Sequence, residues 1–137
     1  MKKVSLLLAC SLLFLSPAAY ADDASGSFKF KTGTYALRGS NDGSNNTTYE
    51  GDVIIKEQGD NYDVTWKIGR NRNQVQTGVG ILKGNVLSVA YYDVSGGSFG
   101  VVSFLLTAEN TLTGKWSPIH GTKSGKEFLT WVSDLTQ

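Results

Sequence analysis

Polar and apolar residues alternate along most of this chain, and a Gly, Asn or Asp turn breaks the alternation every eight to twelve residues. Positions 61–68, Asn-Tyr-Asp-Val-Thr-Trp-Lys-Ile, keep a period of two throughout, with Tyr62, Val64 and Trp66 on one side. That period sends alternate side chains to opposite faces of a strand, so one face can be buried while the other meets water. The pattern predicts eight strands, at about 33–38, 48–57, 61–68, 74–82, 86–92, 99–107, 111–117 and 126–132. Beyond residue 21, nothing repeats at helical spacing for long enough to make a helix.

Short turns of this kind pair each strand with its neighbour in sequence. An open meander would leave two unpaired edges, an aggregation hazard that closure removes. The expected fold class is therefore all-β, a single eight-stranded antiparallel up-and-down barrel, with a two-sheet β-sandwich as the alternative. On the second strand Tyr49, Val53 and Ile55 share one face, and Glu50, Asp52 and Lys56 the other. Gly78 and Gly80 share a face of the fourth strand, where they either permit the bend that closure needs or leave room for a ligand. A small outer-membrane barrel would use the same alternation inverted, with Val53, Ile55, Val64 and Trp66 toward lipid and Asp52, Lys56, Asp63 and Lys67 toward the lumen. The strands are short for that, and 101–106 is apolar on both faces.

The first residues read as an export signal. Lys2-Lys3 is a positive start, 4–15 is an apolar run too short to span a bilayer, and Ala19-Tyr20-Ala21 offers a cleavage site. The expected organisation is a signal peptide at 1–21, a flexible N-terminal segment at 22–32 and a barrel domain at 33–137, in a periplasmic or secreted protein. Leu8-Ala9-Cys10 loosely resembles a lipoprotein cleavage motif, and processing there would leave an apolar tail. Cleavage after Ala21 takes Cys10, the one cysteine, and with it any disulfide, cysteine zinc site or thiol nucleophile. It also removes Lys2 and Lys3 from the thirteen Lys and Arg, leaving eleven against twelve Asp and Glu. A near-neutral chain without charge blocks has no natural affinity for nucleic acid or an anionic membrane surface.

Candidate chemistry is sparse. His120, the one histidine, stands in the turn-like Ser117-Pro118-Ile119-His120-Gly121 without a nearby acid or nucleophile. Glu50 with Asp52, and Asp60 with Asp63, read as solvated strand-face and turn carboxylates. Asn41-Asp42-Gly43-Ser44-Asn45 has oxygen ligands but lacks the spacing and closing Glu of a calcium loop. No catalytic residue, metal site or cofactor is expected. The aromatics say more. Tyr35, Tyr62, Trp66, Tyr91 and Trp116, with Trp131, are either core filling or the wall of a binding cup whose floor is tryptophan and whose hydroxyls contact a ligand at one rim. Arg70 and Arg72 make an electropositive hairpin tip, either solvated turn charge or a loop contact.

Gly33-Thr34-Tyr35, Tyr49-Glu50-Gly51, Tyr62-Asp63-Val64-Thr65-Trp66, Thr77-Gly78-Val79-Gly80, Leu87-Ser88-Val89-Ala90-Tyr91, Gly100-Val101-Val102 and Leu112-Thr113-Gly114-Lys115-Trp116 follow one another in that order. This series resembles small secreted bacterial β-barrel proteins often labelled fibronectin-binding protein, over nearly the whole chain after residue 21. A more distant likeness is to the avidin and lipocalin barrels, with Gly-Lys-Trp on a late strand instead of the first. The resemblance implies adhesion or binding without catalysis. Together these readings describe an exported, non-enzymatic binding protein, monomeric or weakly oligomeric. It would take a small apolar ligand, a glycan or an extracellular matrix or envelope protein at one barrel end. A secreted protease inhibitor, with 22–32 as the plug, is the alternative within the same class.

Overall fold

A computed structural model describes residues 28–136. The expected signal peptide, Cys10 and the first part of the 22–32 segment lie outside the described residues. Eight strands follow in order: β1 Gly33–Ser40, β2 Tyr49–Gln58, β3 Asn61–Ile68, β4 Gln74–Lys83, β5 Val86–Asp93, β6 Phe99–Ala108, β7 Thr111–Pro118 and β8 Gly125–Ser133. Each pairs antiparallel with the next, and β8 returns to β1 to close the barrel. That last pairing excludes the two-sheet sandwich. The strands expected from the alternation agree with these to within two residues at either end: β1 runs on through Gly39, β8 takes in Gly125, and the remaining ends shift by at most one residue.

Polarity decides the faces. Val53, Ile55, Val64, Phe104 and Leu129 are fully buried in the lumen, while Lys56, Asp63 and Lys67 are exposed outside. Hence the inverted arrangement, with Val53, Ile55, Val64 and Trp66 facing outward, is not the one this chain adopts. The doubly apolar run on β6 divides the same way: Val102, Phe104 and Leu106 point in, and Val101 and Leu105 remain exposed outside near Val79 and Ile81.

Bulky luminal rings need room, and cross-strand glycines supply it. Gly39 stands opposite Tyr49, Gly114 opposite Phe104 and Gly125 opposite Trp116. A Cβ at Gly114 would come within 2.5 Å of the Phe104 ring, and one at Gly39 or Gly125 would collide with the facing ring. Each ring therefore lies against its neighbour's bare backbone, a pairing that helps fix the strand register.

The two barrel ends differ. At one end tight turns at 59–60, 84–85 and 109–110 join the strands, with Gly84 at φ 61° and Asn110 at φ 64° in the left-handed conformation such turns need. The chain enters the barrel at this same end, across 28–32. There Phe30 meets Tyr62 edge to face at 5.2 Å, Tyr35 Oη donates to the Lys31 carbonyl at 2.5 Å, and Trp131 Nε1 donates to the Thr32 carbonyl at 3.1 Å. The Lys31 ammonium lies 4.7 Å from the centre of the Trp131 ring. At the other end the connections are longer loops, 41–48, 69–73, 94–98 and 119–124.

Candidate functional site

The lumen is filled as far as Trp66, whose indole stacks on Phe104 at 6.4 Å and tilts against Tyr91 at 6.0 Å. Above that layer, toward the loops, the barrel opens into a chamber of about 280 Å3. Trp66, Tyr91 and Trp116 line it, with Tyr49, Gln74, Gln76 and Glu127. Asn41 and Ser98, both exposed on the loops, also belong to the wall, so the chamber reaches the rim.

Alternation along β8 carries Gly125, Glu127, Leu129 and Trp131 inward, which places a carboxyl group inside the barrel. Glu127 is only 4% exposed. The Tyr49 hydroxyl donates to its Oε1 at 3.0 Å and the Trp66 indole N–H to its Oε2 at 3.1 Å. Both donors are neutral, so the charge is solvated in part but never balanced. Burial pushes the Glu127 carboxyl up to about 7, against the pull of those two hydrogen bonds. Its neighbours feel the same environment. The Tyr49 hydroxyl is held far above its ordinary value, first by burial and then by the charge of Glu127, with the Trp116 indole opposing in part. Tyr91 is raised by burial and then by Glu127.

Trp116 lies flat over Gly125. Its Nε1 is buried and directed toward the Tyr49 hydroxyl, but it makes no well-formed hydrogen bond within the protein. An indole N–H left unpaired away from water is costly, on the order of 1–3 kcal/mol, and such groups mark places where a partner fits.

The structure thus gathers three of the sequence candidates, Trp66, Tyr91 and Trp116, into one wall. It places Tyr35 and Tyr62 at the turn end, where Tyr35, pushed up to about 12 by burial, is tied to Lys31 and Tyr62 packs on Phe30. Arg72 turns outward: its Nε lies 2.6 Å from Asp52 Oδ2, and its Nη1 donates to the Gly69 carbonyl at 2.6 Å. Arg70 is exposed on the same loop, as is His120 on 119–124. Sequence reasoning missed Glu127 and the glutamines. The signal was parity, since Glu127 shares the face of Leu129 and Trp131, and Gln74 and Gln76 share that of Gly78 and Gly80. Among the described residues no group of three or more His, Cys, Asp or Glu could hold a metal ion.

No family model matches this chain, and no curated protein does. The fibronectin-binding label therefore finds no support in them. Among solved structures, the chain is similar to one described as "REP1-NXSQ fatty acid transporter", at 10% identity and a TM-score of 0.47, covering 77% of this chain and 97% of that one.

Proposed function

We propose that this protein is an exported, non-enzymatic binding protein that holds one small ligand in the chamber at its long-loop end. The observation that carries this reading is the chamber itself, in whose wall a buried carboxyl, Glu127, and the Trp116 indole N–H meet the rings of Trp66 and Tyr91. Interiors that serve only as cores leave few such groups unpaired. A ligand offering an acceptor would satisfy that donor, while the Trp66, Tyr91 and Trp116 rings cover its apolar part. The size of the chamber, about 280 Å3, falls at the low end for small-molecule sites and favours a compact ligand over a long chain or a protein segment. Hydrolysis would need a second acid or base facing Glu127, and among the described residues the wall adds no Asp, His, Lys or Arg, its one aliphatic hydroxyl being that of Ser98, exposed at the rim.

Native mass spectrometry of protein purified from its own host tests the reading. A bound small molecule is expected, released by Trp116→Ala and retained by Tyr62→Phe at the far end. Protein that carries nothing, and whose tryptophan emission responds to no member of a diverse small-molecule set, would overturn it. N-terminal sequencing of the same material should begin at Asp22 if the chain is exported as proposed.

A further inference from the structure

We infer that the ligand is a small organic cation, a protonated amine that also carries an acceptor such as a hydroxyl or carbonyl for the Trp116 N–H, with Glu127 as its counter-ion and the surrounding rings as its cage. The inference rests on the binding reading above and names the chemistry of its ligand. Its basis is a mismatch inside the chamber. Among the described residues Glu127 is the one carboxyl group in the wall, and no Lys, Arg or His lines the space with it. The titratable groups that face it are Tyr49 from β2 and Tyr91 from β5, both neutral. Trp66 from β3 and Trp116 from β7 complete its surroundings with indoles. An ionised carboxylate can accept about four hydrogen bonds, and Glu127 receives two, one on each oxygen. Capacity for further donors therefore remains on a carboxyl group that lines the chamber.

A buried charge without a counter-charge is costly, and proteins retain one where something else supplies the balance. An ammonium donates to the free lone pairs of a carboxylate and is attracted to aromatic faces within about 6 Å. Tyr49, Trp66, Tyr91 and Trp116 give such faces on several sides of one small space. The glutamine carbonyls of Gln74 and Gln76 can accept remaining N–H groups at the rim. A carboxylate ligand would meet the reverse: repulsion from Glu127 whenever that group is ionised.

A charge series on one ring tests the inference: benzylamine, benzyl alcohol and benzoate, each titrated by tryptophan fluorescence at about pH 8.5 and about pH 5, either side of the Glu127 transition. At the higher pH benzylamine should bind roughly tenfold tighter than benzyl alcohol, the scale of one partly desolvated cation–aromatic and ion-pair contact. That advantage should vanish at the lower pH, where Glu127 carries a proton, and in Glu127→Gln at both. Glu127→Gln keeps an acceptor for Trp66 and a donor for Tyr49, and its melting temperature shows whether it has folded. If benzyl alcohol or benzoate binds as tightly as benzylamine at the higher pH, the cation is the wrong class while the chamber remains a binding site. If none of the three binds up to millimolar concentration, the cation inference is overturned, while the binding reading stands or falls separately on the native mass spectrum.

Discussion

The two ends of this barrel are built from the same alternation and the same closed ladder, yet one is packed and the other is hollow. At the turn end Tyr35, Tyr62 and Trp131 spend their polar atoms or their faces on the 28–32 segment, and the space between them is filled. At the loop end the rings lie back against glycines of the next strand, Tyr49 on Gly39 and Trp116 on Gly125, and leave about 280 Å3 free. Aromatics alone do not separate the two ends, nor does a glycine opposite a ring, since Phe104 lies on Gly114 within the packed layer. What marks the open end is a buried carboxyl, Glu127, among rings that leave space unfilled.

Phe104→Ala should break the comparison at its foundation. Phe104 is fully buried between the two halves, stacked beneath Trp66, and its removal should cost about 3–5 kcal/mol in chemical denaturation. The loss would extend the hollow downward, and a cost well under that range would mean the lower half is not packed as described.

The pH dependence of stability is the next largest effect. The folded protein keeps the Glu127 proton up to about pH 7, while the unfolded chain releases it near 4.5. Between those values the unfolded state binds fewer protons, so stability falls as pH rises through the window, by about 3 kcal/mol in all. Glu127→Gln should flatten that slope and make the protein more stable than the parent above pH 7. An unchanged slope in the variant would place the pH response elsewhere.

A pair of glycine substitutions gives the sharpest and smallest contrast. Gly114→Ala drives a methyl into the Phe104 ring in the packed layer, and Gly125→Ala drives one into Trp116 in the chamber wall. The first should cost about 1–3 kcal/mol as an overpacked core does. The second should cost less, because Trp116 can swing into free space, but it should abolish ligand binding by filling the chamber. Equal stability losses with binding intact would dissolve the distinction between the two ends.

Much of this was legible in advance. Alternation and turn chemistry located every strand, because side-chain polarity with a period of two is a local property of the chain. Closure followed from the absence of any other partner for the first and last strands. The site was only half readable: Trp66, Tyr91 and Trp116 stood out as aromatics, but so did Tyr35 and Tyr62, and nothing local separates the two groups. Glu127 is hard to place from sequence because a charged residue in a strand usually faces water, and only its parity with Leu129 argues otherwise.

The sequence by itself determined a ring of paired strands with one apolar face, since each residue's polarity dictates which side of a strand it can occupy. Which rings meet side chains and which meet glycine depends on the register between strands, set jointly by all eight. Only the closed barrel could bring Tyr49, Trp66, Trp116 and Glu127, from four different strands, around one space and leave a carboxyl there without a counter-charge.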